Sequence, residues 1–182
     1  MREKVLFLHG WGGSDYPHWQ AWTAGELAKD YGQVSFPLLD NPHFPTKNRW
    51  MKQFKELLLE FKPDTVVCHS LANTVWFHLC NEGEIVGVKR LLLVAPPRLD
   101  LDLDTIKTFF PVTPPTHLYA EEVMLVTSKT DPYMTPAEAI TLQATLDVEM
   151  LVLDDAGHIN EESGYGEWPW VLAWLKRENG AA

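Results

Sequence analysis

Three short apolar runs in this 182-residue chain end on residues equipped for acyl transfer. Thr65-Val66-Val67-Cys68-His69 runs into Ser70, and Val123–Thr127 leads to Ser128-Lys129-Thr130-Asp131-Pro132. Glu149–Leu153 leads to Asp154-Asp155-Ala156-Gly157-His158. A serine hydroxyl becomes a good nucleophile when an imidazole takes its proton and a carboxylate orients that imidazole. Ser70, His158 and Asp131 are the candidates for these roles, and their chain order, Ser then Asp then His, is that of α/β-hydrolases. Asp154 and Asp155 compete for the carboxylate role because they lie just before His158. Asp131 is preferred because an orienting carboxylate normally comes from a separate strand end. Among the other histidines, His69 abuts Ser70 and should point to the other face of the strand. His9 belongs to a glycine-rich loop. His18, His43, His78 and His117 fall in helices or loops without a matching partner.

A nucleophile elbow is a sharp strand-to-helix turn, and the residues two before and two after its serine must be small. Here they are Cys68 and Ala72 rather than the usual glycines. Developing charge on the substrate oxygen needs fixed N–H donors. The backbone amide of Leu71, just after the serine, is one candidate. The other is Trp11, in the loop His9-Gly10-Trp11-Gly12-Gly13. That loop matches neither the dinucleotide-binding nor the nucleotide-phosphate glycine pattern.

The elements that must position these residues follow from hydrophobic periodicity. Strands are expected at 5–9, 33–36, 65–69, 88–95, 123–127 and 149–153. Helices are expected at 19–31, 48–61, 70–81, from Thr135 to about 147, and at 169–178. Thr135, Pro136 and Glu138 have the N-cap, first-turn proline and capping-box glutamate of a helix start. Near-continuous apolar strands alternating with helices imply a mostly parallel sheet covered on both faces, a three-layer α/β fold. In such sheets the ligand site lies beyond the carboxyl ends of the strands. The chain has no repeats and no linker, so 1–182 reads as one α/β-hydrolase domain. The proline-rich stretch 96–120 is the least regular part and could form a short lid or leave the site open.

A net charge of −10 and a pI near 5.1 argue against binding nucleic acid or an anionic membrane. Cys68 and Cys80 form no C-x-x-C pair. The first apolar stretch is too short for a secretory signal, and no run could span a bilayer, so the expected location is cytoplasmic. No cofactor is expected. A metal site from His9, His69, His158 and Asp131 would lack any recognised ligand spacing.

Several of these segments together resemble the retinoblastoma-binding protein 9/YdeN family of small serine hydrolases. They are His9–Gly13 followed by His18-Trp19-Gln20-Ala21-Trp22, the elbow Cys68–Ala72, Ser128–Pro132, and Ala156-Gly157-His158-Ile159-Asn160 followed by Gly164-Tyr165-Gly166. The resemblance implies an α/β-hydrolase with little or no lid, carries over Ser70, Asp131 and His158, and leaves the substrate open. The family member named for binding the retinoblastoma protein does so through L-x-C-x-E. The corresponding stretch here is His78-Leu79-Cys80-Asn81-Glu82, which has His in place of the first Leu, so that interaction is not expected.

The expected activity is hydrolysis of a small ester, thioester or amide through an acyl-enzyme. The alternative is an interaction module on the same fold. Trp11, Trp19 and the Phe109–Phe110 pair are candidate pocket walls. The sequence gives no indication of oligomeric state.

Overall fold

The computed structural model describes residues 3–83 and 85–177. Six strands form one sheet in the order β2-β1-β3-β4-β5-β6, and every neighbouring pair is parallel. They are β1 (Lys4–Leu8), β2 (Gln33–Ser35), β3 (Thr65–His69), β4 (Val88–Val94), β5 (Ala120–Ser128) and β6 (Glu149–Leu153). The helices are α1 (Trp19–Asp30), α2 (Lys47–Phe61), α3 (Leu71–Glu82), α4 (Pro136–Leu146) and α5 (Pro169–Lys176). The expected end of α5 at Glu178 lies outside the described residues.

Strand side chains alternate between faces, and the core divides accordingly. Leu6, Leu8, Val66, Cys68, Leu91 and Leu93 pack with α2, α3 and α4. Val5, Phe7, Val67, Leu92 and Val94 pack with α1 and α5. The central strands are buried on both faces, which is why they read as continuous apolar runs. On β4 the exceptions are the exposed Lys89 and the buried Arg90. Arg90 reaches the end of α5. Its guanidinium lies over the Trp174 ring and donates to the carbonyls of Trp174 (2.7 Å) and Leu175 (3.1 Å), satisfying the end of α5.

Helix ends follow local chemistry. Thr135 and Glu138 form the expected capping box, and Pro136 occupies the first turn of α4. Gly83 closes α3 in the left-handed conformation. Strand β5 begins three residues earlier than expected, because pairing with β4 extends to Val88↔Ala120 despite the polar Glu121 and Glu122.

The chain passes from β1 to β2 on one side and reaches β3 on the other, so the order reverses between β1 and β3. Ligand sites form at such a switch point. The loop of Gly10 and the turn of Ser70 lie at the carboxyl ends of these two strands.

Candidate active site

Ser70 occupies the tight turn between β3 and α3 with φ 54 and ψ −122. A positive φ costs a non-glycine residue of order 1–3 kcal/mol, so the surroundings must enforce it. Asn73 does much of this. Its buried amide donates to the carbonyls of Ser70 (2.8 Å) and Val94 (2.9 Å), pinning the turn to β4. The Ser70 amide also donates to Val94 (3.0 Å). Cys68 and Ala72 are fully buried in the core, as the elbow's need for small residues predicts.

Ser70 Oγ lies 2.7 Å from His158 Nε2. On the other side of the ring, His158 Nδ1 lies 2.9 and 3.0 Å from the Asp131 carboxylate oxygens. This geometry suits one tautomer, with Nδ1–H donating to Asp131 and Nε2 accepting from the serine hydroxyl. The Asp131 carboxylate also accepts from the Tyr133 amide (2.8 Å), and its side chain is only 3% exposed. Asp154 instead pairs with Lys129, and Asp155 accepts from the Thr130 hydroxyl, so neither competes for the imidazole.

The segment carrying His158 has left-handed residues on both sides, Gly157 (φ 50) and Ile159 (φ 50). A side chain at Gly157 would also meet Ser163 Cβ at 2.8 Å. Four bonds from other elements hold the segment. The Ala156 amide donates to Ser128 Oγ (3.1 Å) and the Gly157 amide to Thr130 Oγ1 (3.0 Å). The His158 carbonyl accepts from His69 Nε2 (3.1 Å), and the Ile159 carbonyl accepts from the Trp19 indole (2.8 Å). The Ser128-x-Thr130-Asp131 run thus grips both the backbone and the ring of the histidine. The alternation of two hydroxyls before the aspartate could have revealed this in the sequence. The contribution of His69 and Trp19 could not be seen there, since it depends on the fold.

The loop after β1 is held by the loop after β2. The His9 ring donates from Nδ1 to the Gly10 carbonyl (2.7 Å) and accepts at Nε2 from the Leu39 amide (2.8 Å). Both ring nitrogens are therefore engaged, and neither is free to ligate a metal. The Gly12 amide donates to Pro42 (2.8 Å), and the Trp11 indole donates to His43 (3.0 Å). No acceptor for the Trp11 or Leu71 backbone amide occurs among the described residues. Gly10 packs so closely on the elbow that a Cβ there would lie 2.7 Å from Ser70 Cβ.

The His69 ring packs against both His158 and His18, with ring centroids 5.3 Å apart for His69–His158 and 4.8 Å apart for His18–His69. Burial pushes His69 well below the usual histidine range, and burial with the nearby His158 lowers His18 to about 4. Burial also lowers His9. All three are neutral at pH 7.

Ser70 and His158 open into a cavity of about 420 Å³ whose lining includes Trp11, Leu71 and Tyr133. Trp19 and Phe109 do not line it, contrary to the expectation that they form its walls. Both are fully buried, with Trp19 against His69 and Trp168 and Phe109 against Trp50. The stretch 96–120 is packed down rather than standing over the site as a separate lid. Its helical element is a 3-10 turn at Asp104–Phe109, and Ile106, Phe109, Val112 and Leu118 enter the core. Pro97, Leu101 and Ile106 contribute to the cavity wall.

A family profile described as serine hydrolase matches residues 5–177. The chain belongs to the serine hydrolase family. This serine hydrolase has the fold of the ydeN gene product of B. subtilis, at TM-score 0.81 and 20% identity over 96% of this chain and 97% of that one. It is similar to a ydeN-like hydrolase of Pectobacterium atrosepticum at TM-score 0.74 and 24% identity, covering 96% and 89%. It also resembles Est1E of Butyrivibrio proteoclasticus at TM-score 0.66 and 13% identity, covering 96% and 87%. These likenesses bear out the expected α/β-hydrolase architecture, and with the family match they support the expected kinship with YdeN-type serine hydrolases. Comparison with curated proteins returned no sequence match. Among the described residues, no helix is long and apolar enough to cross a membrane.

Proposed function

We propose that this serine hydrolase, folded as one α/β-hydrolase domain, cleaves a small carboxylic ester, thioester or amide through an acyl-enzyme on Ser70. The supporting observation is the hydrogen-bonded chain from Ser70 Oγ to His158 Nε2 (2.7 Å) and from His158 Nδ1 to Asp131 (2.9 Å), beginning at a serine held in a strained turn. Ser70 Oγ attacks the substrate carbonyl carbon as its proton passes to His158 Nε2. Asp131 stabilises the imidazolium that forms. The amides of Leu71 and Trp11 receive the oxyanion. His158 then returns the proton to the departing oxygen, nitrogen or sulfur, leaving an acyl ester on Ser70. Water deprotonated by His158 attacks that ester, releasing the acid and restoring the serine hydroxyl.

The test is covalent labelling by a fluorophosphonate probe. The wild-type chain should label at Ser70, and Ser70→Ala should not label. Labelling that survives this substitution, or a folded wild type that never labels, would refute the nucleophile. Hydrolysis of a series of esters of increasing acyl length then measures how much of the cavity the acyl group fills.

A further inference from the structure

The His158 imidazole is held by a hydrogen bond at each ring nitrogen. Nδ1 donates to Asp131 (2.9 Å), and Nε2 accepts from Ser70 Oγ (2.7 Å). The second bond lasts only while Oγ carries its hydrogen. Once Oγ is acylated it has no hydrogen to donate. The imidazole then keeps only the bond at Nδ1 and can pivot about it unless other groups confine it. Two other rings touch His158. The buried His69 lies 5.3 Å away between centroids. Tyr133 is nearer, at 4.6 Å with the planes 68° apart, within the edge-to-face arrangement that aromatic rings favour. Tyr133 is half-buried and lines the cavity that His158 also faces.

The backbone around Tyr133 fixes where its ring can sit. Pro132, just before it, has a locked φ. The Tyr133 amide donates to Asp131 Oδ1 (2.8 Å) in an Asx turn. The carboxylate that orients His158 therefore also orients the residue packed on it. The Tyr133 carbonyl accepts from the Arg98 amide (2.8 Å), and Met134, just after it, is anchored in the core. The Tyr133 hydroxyl has no hydrogen-bond partner among the described residues, so the contact with His158 belongs to the ring.

We propose that Tyr133 is a positioning residue for deacylation, its ring keeping the His158 imidazole turned toward Ser70 after the Ser70 hydrogen bond is lost. The proposal rests on the acyl-enzyme at Ser70 and adds the residue that holds the base at that stage. There His158 Nε2 takes a proton from water as the water oxygen bonds to the acyl carbon. The bond from that carbon to Ser70 Oγ then breaks, and Oγ recovers the proton from Nε2. In acylation the serine hydroxyl itself holds the imidazole, so Tyr133 matters less in that half of the reaction.

The experiment compares wild type, Tyr133→Ala and Tyr133→Phe on a 4-nitrophenyl ester, whose good leaving group makes acylation fast. Rapid mixing follows the burst of nitrophenol, and intact mass follows the rise and decay of the acyl group on Ser70. Misplacing a reacting group by about 1 Å costs up to about 10²-fold, so Tyr133→Ala should slow deacylation by about tenfold to a hundredfold. The acyl-enzyme should accumulate, so kcat and KM should fall together while kcat/KM stays within about threefold of wild type. Tyr133→Phe keeps the ring and should deacylate at the wild-type rate. If Tyr133→Ala does not fold in thermal unfolding, Tyr133→Val, which has no ring to reach the imidazole, carries the same expectation.

The rate of fluorophosphonate labelling separates the two halves of the reaction, since it reports attack by Ser70 without deacylation. It should be nearly unchanged in Tyr133→Ala. Deacylation at the wild-type rate in Tyr133→Ala overturns the proposal, as does an equal slowing of labelling and deacylation. A loss in Tyr133→Phe as large as in Tyr133→Ala overturns it too, because the hydroxyl and not the ring would then be responsible. A wild type that forms no acyl group on Ser70 refutes the Ser70 reading and the proposal with it, an outcome distinct from all of these because it appears before any substitution at Tyr133.

Discussion

Gly10→Ala tests how the loop after β1 serves the elbow. The alanine Cβ would lie 2.7 Å from Ser70 Cβ, 3.1 Å from the His69 carbonyl oxygen and 3.3 Å from Ser70 Oγ. Ordinary contacts between carbon atoms are about 3.5–4.0 Å, so the loop and elbow must separate by about 1 Å. Neither the Ser70 Cβ nor the His69 backbone can swing aside as a flexible side-chain tip would. The Gly10 backbone is outside the left-handed region, so an alanine there suffers from contact alone. In the proposed mechanism the neighbouring Trp11 amide must lie about 2.7–3.1 Å from the oxyanion, and a 1 Å displacement removes it. Loss of one such donor lowers kcat by about 10²–10³-fold, with a much smaller change in KM. Overpacking also costs about 1–3 kcal/mol of stability. The assay is kcat and KM on a chromogenic ester, with thermal unfolding to show that the variant folds. Gly25→Ala in α1 is the control, since its Cβ would meet nothing within 4 Å and its backbone is outside the left-handed region. A folded Gly10→Ala variant with kcat within about threefold of wild type would refute the argument, as would an equal loss in the Gly25 variant.

Other perturbations test the rest of the site. Asp131→Asn should lower kcat by about 10³–10⁴-fold by disturbing the His158 tautomer, while Asp155→Asn, which loses only a Thr130 contact, should stay within about tenfold. Equal losses in steady-state assays would return Asp155 to contention. Asn73→Leu leaves the carbonyls of Ser70 and Val94 without their amide donor and should cost about 2–4 kcal/mol in denaturant unfolding together with a fall in kcat; unchanged values would show that the elbow does not need this brace. Stability should also decline on acidification. His18 has a folded-state value of about 4 against 6.5 ordinarily, and His9, His69 and His78 are lowered in the same direction. Between those pH values the unfolded chain binds more protons, so stability falls as pH drops from about 6.5 toward 4, with about 3 kcal/mol attributable to His18 alone. Urea unfolding midpoints that stay flat across this window would contradict the buried neutral histidines.

The boundaries of β3 and β6 and the cap of α4 were legible in the chain, because short apolar runs between polar turns and capping chemistry are local features of sequence. The positions of Ser70, Asp131 and His158 after three strands were legible for the same reason, since strand–helix alternation implies one parallel sheet with a common carboxyl edge. The sequence left Asp154 and Asp155 as rivals of Asp131. Their separation came from contacts across strands, where Lys129 and Thr130 engage the two rivals and leave the imidazole to Asp131. The sequence offers Trp19 and Phe109 as pocket walls, whereas packing against His69 and Trp50 places them in the core. The ring contacts of His69 with His18 and His158 and the unpartnered Ser14 and His18 atoms had no signal in the sequence. Residue type and spacing specify what a side chain can do chemically, whereas desolvation and hydrogen-bond partnership depend on segments distant in sequence that meet only after folding.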